Sequence, residues 1–150
     1  MFRKFDSKLF RKRSDGRPRS VFLHGIKYEG NHKDDKMHGH GVLTLSNGDI
    51  YEGNFNDDKM HGHGVLALSN GNIYEGNFKD DKIHGHGVYK SHSGYYFHGS
   101  YSKDMKNGFG TMLLPNGERY SGNFKDDKRH GKGSLRFPNG IFFNGSSKIM

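Results

Sequence analysis

The sequence predicts an all-β protein: an elongated, single-layer antiparallel β-meander of tandem 23-residue hairpins, with a short basic helix at its N-terminus. Three observations carry this prediction. The first is an insertion-free period. The phrase KMHGHGVLTLSNGDIYEGNF at 36–55 returns at 59–78 with two changes, Ala67 for Thr44 and Asn72 for Asp49. Tyr28, Tyr51, Tyr74, Phe97, Tyr120 and Phe143 thus fall 23 residues apart. A fixed spacing of this size marks a repeat architecture, in which each copy buries its apolar face against its neighbours. The second is alternation at period two, and the third is a turn signal at a constant place in each copy.

Tyr51-Glu52-Gly53-Asn54-Phe55 alternates apolar or small with polar residues, as a half-buried strand does, and puts Tyr51, Gly53 and Phe55 on one face. Gly64, Leu66 and Leu68 form the inner row of a second strand. Between them, Asn56 to Gly62 reads as a hairpin connection. The Asn-Gly steps at 47–48, 70–71, 116–117 and 139–140 supply the turn to the next copy. With two short strands in each 23 residues there is no room for a helix within a repeat. About five full repeats fill 28–142, with partial ones on either side, so the chain divides into an arm, 1–20, and an array, 21–150.

Composition points elsewhere: 31% hydrophobic residues, 27% charged residues and a net charge of +8 lean toward disorder. The periodic placement of 23 glycines and of the 20 Tyr and Phe residues outweighs that lean. Glycine is expected where an aromatic ring lies across the neighbouring strand, which makes Gly53, Gly76, Gly99 and Gly122 floors for rings. The absence of cysteine excludes disulfides and thiolate metal sites, and fits a reducing compartment. No apolar run approaches the roughly 18 residues of a membrane-spanning helix, and the start has no signal-peptide stretch. A soluble, cytoplasmic protein is expected.

Tyr-Glu-Gly-Asn-Phe, then His-Gly-His-Gly, then Asn-Gly before the next Tyr resembles the MORN (membrane occupation and recognition nexus) repeat, also 23 residues long. The likeness covers about 28–145, with a degenerate half-repeat near Asp15-Gly16 and His24-Gly25. The family usually has Trp where this chain has Phe55, Phe78, Tyr101 and Phe124, and Gly where it has Asp58, Asp81 and Asp127. Aromatic for aromatic keeps the packing row, and Asp tolerates a left-handed turn. The resemblance implies an adaptor at cytoskeletal structures, cilia or membrane junctions.

No catalytic constellation is visible: serines lack a partnered base, and there is neither a phosphate loop nor a dinucleotide fingerprint. The chain has no residues left over for a catalytic module, so it is read as not an enzyme, with no cofactor. Asp57-Asp58, Asp80-Asp81 and Asp126-Asp127 each adjoin a lysine and read as solvated turns. His38/His40, His61/His63 and His84/His86 invite a metal reading, since ligands two apart share a strand face. Equivalent residues of successive two-stranded repeats lie roughly 10 Å apart, too far for several repeats to share one ion. No metal site is therefore expected.

The candidate partner groove is lined by Tyr28, Tyr51, Phe55, Tyr74, Phe78, Phe97, Tyr101, Tyr120 and Phe124, which also build the sheet. Its expected occupant is a helix or extended segment of a partner protein. The first twenty residues carry eight Lys or Arg against two Asp, and Phe2, Phe5 and Leu9 recur at helical spacing. Such a helix suits an anionic phospholipid surface through Arg3, Lys4, Lys8, Arg11, Lys12 and Arg13. A cap on the sheet, an import signal at 11–13 and a disordered tail are its rivals. No specific nucleic-acid partner is expected, because aromatic and basic residues do not interleave on a platform in the repeats. A homodimer through exposed sheet ends is a further expectation.

Overall fold

A computed structural model of the chain describes residues 19–147, and side chains for 24–146. The chain forms two compact units, Met1–Lys82 and Ile83–Met150. The amino-terminal unit contains β1 (Arg19–Leu23), β2 (Ile26–Lys33), β3 (Lys36–Thr44), β4 (Ile50–Asn56), β5 (Lys59–Ala67) and β6 (Ile73–Lys79). The carboxy-terminal unit contains all but the first residue of β7 (Lys82–Lys90), then β8 (Tyr96–Ser102), β9 (Met105–Leu113), β10 (Arg119–Lys125), β11 (Lys128–Arg136) and β12 (Phe142–Ser147). Within each unit the strands pair antiparallel in chain order, the all-β hairpin meander that the sequence predicts. No helix occurs among the described residues.

Period-two alternation becomes burial directly. In β4 and β6, residues alternate exposed and buried along the whole strand. Tyr51, Gly53 and Phe55 point inward, while Ile50, Glu52 and Asn54 point out. In the neighbouring strand Gly64 and Leu66 are buried as expected, but Leu68 lies past the end of β5 and is only half-buried.

The two turn signals exchange roles. The connection expected over Asn56 to Gly62 is in fact two residues long: Asn56 pairs with Lys59, and Asp57 and Asp58 alone make the turn, with φ of 52° and 70°. Positive φ at both positions is the requirement of a primed two-residue hairpin turn, whose twist suits the flanking strands. β5 begins at Lys59 because Met60 pairs with Phe55 and is buried. The surplus residues form a bulge between the Phe55–Met60 and Gly53–Gly64 pairs, and Gly62 there takes φ +77°.

The Asn-Gly step, by contrast, sits in a three-residue loop. The Gly48 N–H donates to the Leu45 carbonyl at 3.0 Å, and the Leu45 N–H to the Asp49 carbonyl at 2.8 Å. Gly48 has φ +94°, and Gly71 and Gly117 repeat the arrangement at +94° and +90°. That is a turn closed by a glycine bulge rather than a two-residue primed turn. The half-repeat at the start keeps its turn, His24-Gly25, with φ of 51° and 76°.

Candidate functional site

Four aromatic rings each lie flat across two facing glycines. Tyr28 covers Gly30 and Gly41, which face each other across β2 and β3; a Cβ on Gly41 would stand 2.5 Å from the Tyr28 hydroxyl. Tyr51 covers Gly53 and Gly64, Phe97 covers Gly99 and Gly110, and Tyr120 covers Gly122 and Gly133. Gly76, also expected as a floor, lies buried opposite Gly64. The expected floor residues are thus half of each floor; the facing strand supplies the other half.

Rings then meet edge to face in a continuous row within each unit. In the amino-terminal unit Phe55 stands between Tyr28 and Tyr51 at 5.4 and 5.0 Å, and Phe78 between Tyr51 and Tyr74 at 5.0 and 5.1 Å. In the carboxy-terminal unit Phe124 stands between Phe97 and Tyr120, both at 5.2 Å. Such contacts add roughly 0.5–1.5 kcal/mol each beyond the area they bury. The hydroxyls of Tyr28 and Tyr51 donate to the carbonyls of Asn31 and Asn54 at 2.7 Å. Burial raises the pKa of both well above the ordinary tyrosine value, with a smaller push from Asp58 on Tyr28 and from Asp81 on Tyr51. Burial raises that of Tyr120 as well, against the opposing charge of Arg129, whose guanidinium lies over its ring.

All nine residues expected to line a partner groove are brought together in these rows, and none is more than 8% exposed. Their packing is the core of the sheet. A partner reaching the rings of the free protein would have to displace the neighbours that cover them.

The aspartate pairs prove more than solvated. The Asp58 N–H donates to the Met37 carbonyl at 3.0 Å, while the Met37 N–H donates to Asp58 Oδ1 at 2.8 Å. Met37 pairs with His32 on one side, but on the side of β4 it lies past the last pair, Gly39–Phe55, and both its backbone groups there are satisfied by one turn residue. Asp81 clasps Met60, Asp104 clasps Ile83 and Asp127 clasps Lys106 in the same way. The first aspartate stays in water: Asp57 pairs with Lys36 at 2.7 Å, which lowers the pKa of Asp57 and raises that of Lys36.

Opposite the rings, each unit presents an open face in ranks fixed by register. In the amino-terminal unit one rank reads Lys27, Thr44, Ile50, Ala67, Ile73 across β2 to β6, and the next reads Glu29, Val42, Glu52, Val65, Glu75. Ile50 and Ile73 are 41% and 42% exposed. His40 and His63 lie beside the acidic rank, 3.6 Å from Glu52 and 3.9 Å from Glu75. In the carboxy-terminal unit the second rank is Val88, His98, Thr111, Ser121, Ser134, with no carboxylate.

The histidines expected to share a strand face do not. Gly39, Gly62 and Gly85 between them have φ of 71°, 77° and 85°, and this left-handed step breaks the strand's alternation. His61 turns toward Asp80 at 3.7 Å while His63 approaches Glu75. His84 Nδ1 accepts from the Lys103 N–H at 3.4 Å, whereas His86 meets His98. Among the described residues no three histidine or acidic side chains converge as a metal site.

The six basic residues expected to bind lipid, Arg3 to Arg13, lie outside the described residues, as does the helix expected there; Arg19 and Ser20, the last two residues of the arm, open β1. No helix among the described residues is long and apolar enough to cross a membrane.

Among solved structures, the wild-type TCP10 domain of CPAP from Danio rerio is similar at 17% identity and a TM-score of 0.39, over 94% of this chain and 91% of that one. The TCP domain of SAS-4 (dCPAP) from Drosophila melanogaster, solved with a proline-rich motif of Ana2 (dSTIL), is similar at 15% identity and a TM-score of 0.26, over 98% and 99% of the two chains. Neither likeness bears on what this chain binds. No curated protein matches. The model of the MORN repeat matches five times in tandem, at 28–50, 51–73, 74–94, 97–119 and 120–142. With its turns, ring rows and glycine floors repeating in the same register, the chain belongs to the MORN-repeat family.

Proposed function

We propose that the chain is a non-catalytic interaction scaffold that binds an extended or helical segment of a partner protein along its sheet. The observation that carries this reading is the open face of the amino-terminal unit. There, ranks of apolar and acidic side chains recur at strand spacing, and among the described residues no second layer covers Ile50 and Ile73. A segment with apolar residues flanked by basic ones complements such ranks. The burial of the nine rings argues that they shape the sheet while these exposed residues make the contact. A partner segment also suits a family of repeats, since equivalent copies bind along a length.

A second reading rests on the sequence of the arm: eight basic residues in twenty favour docking on an anionic phospholipid surface. The readings separate by experiment. A photo-crosslinking residue at position 50 or 73 traps a protein in cells on the first reading, and does so equally after deletion of residues 1–20. On the second, the full chain floats with phosphatidylserine liposomes at physiological salt and the shortened chain does not. Loss of the crosslink on deletion of the arm would sink the scaffold reading.

A further inference from the structure

The fourth repeat departs from its predecessors at one position with chemical consequences. Where Glu52 and Glu75 follow the ring tyrosine, His98 follows Phe97. The register of β7 and β8 sets Val88 opposite His98 and Ser100 opposite His86, so the two histidines are diagonal neighbours on the open face of the carboxy-terminal unit. Their Nε2 atoms stand 2.7 Å apart, with ring planes at 88°, and both side chains are exposed.

From this geometry we infer that His86 and His98 form a two-histidine site for a divalent transition metal of the copper or nickel class. In the free protein one Nε2–H donates to the other Nε2. Both nitrogens become ligands once the donor ring carries its proton on Nδ1 instead, a shift of tautomer without change of charge. The incoming aqua ion gives up two waters to the imidazoles and keeps the rest, and its oxidation state is unchanged. The 2.7 Å separation is that of the hydrogen bond, and both exposed rings must turn so that their Nε2 lone pairs meet at one ion. Imidazole nitrogens suit copper, nickel and zinc alike, and the affinity order that peaks at copper(II) sets the preference over zinc.

The equivalent pairs His40–Glu52 and His63–Glu75 are built on the same backbone but stand 3.6 and 3.9 Å apart and offer one imidazole each. They serve as internal controls, and they supply a variant that the fold already accepts, His98→Glu. Copper(II) chloride added in substoichiometric amounts to the full chain should broaden the imidazole proton resonances of His86 and His98 first among the eleven histidines. Calorimetry with copper(II) should then give one strong equivalent, weakened at least tenfold in His98→Glu and in His86→Asn, with thermal melts confirming that both variants fold. Zinc should bind less tightly than copper. Unchanged copper affinity in His98→Glu, earlier broadening of other histidines, or even broadening across all eleven would overturn the assignment.

Discussion

The amino-terminal unit lays Tyr28 and Tyr51 over its glycine pairs and clasps Met37 and Met60, whereas the carboxy-terminal unit lays Phe97 and Tyr120 over the same pairs and clasps Ile83 and Lys106. Strand lengths, bulges and turns repeat, yet the first unit has ten buried hydrophobic side chains among the described residues and the second five. Charge divides more sharply. Residues 24–82 contain six Lys against ten Asp or Glu, a net of −4; residues 83–147 contain nine Lys or Arg against four acids, a net of +5. The backbone of this fold is therefore specified by a small set of positions, the facing glycines and the left-handed turn residues. Everything else is free to diverge, in core filling and in the charge of the open face.

The largest effect should come from the shared positions and should not distinguish the units. Gly64→Val drives a side chain into the Tyr51 ring and Gly110→Val into the Phe97 ring, each at a cost on the order of 3 kcal/mol. Chemical denaturation monitored by amide exchange in each unit checks this; a mild effect at either site would show that the ring can move aside.

The clasp comes next. Asp58→Ala loses the Met37 hydrogen bond and strains a left-handed residue, together about 2 kcal/mol. Asp58→Gly keeps the conformation and should cost about half as much. Lys106→Met gives the carboxy-terminal unit the clasp residue of its neighbour and should stabilise it by about 1 kcal/mol, read as a raised melting temperature.

Smaller still is the ring hydroxyl. Tyr51→Phe should lose about 1 kcal/mol, and Phe97→Tyr should gain about 0.5 kcal/mol if the Ser100 carbonyl accepts as Asn54 does. Alkali gives the same comparison a second readout. A tyrosine whose folded pKa is raised contributes stability that is complete below its unfolded value, about 10, and lost as pH rises toward the folded one. Alkaline unfolding should hence begin above about pH 10. Tyr51→Phe should flatten its slope in the amino-terminal unit, as equilibrium denaturation across that range would show.

The strands, the inner row and the glycine floors were legible because each follows from period two and period 23, both local properties of the chain. The turns were legible as places but not as types. Asn70-Gly71 is the stronger primed-turn signal on propensity alone, yet Met60 is drawn into the ladder by burial, which leaves only Asp57 and Asp58 for the primed turn. The clasp was hidden because its partners stand 21 residues apart and meet only after two hairpins have paired. The histidines were misread for the opposite reason, a local left-handed glycine that breaks the alternation they were counted on. His86 and His98 join only through the register of β7 and β8, which no spacing in the sequence displays. The opposed charges of the two units were written in the sequence all along, concealed by a sum of +1 over 24–147.

The clasp also gives the fold a direction in time. The backbone of Met37 finds its partner only when Asp58 exists, and that of Met60 only when Asp81 does. During synthesis at about 5–20 residues per second, each hairpin thus waits on the order of 1–4 s for the turn that fastens it. A nascent amino-terminal unit is expected to fasten its hairpins in chain order, each by a turn made 21 residues later.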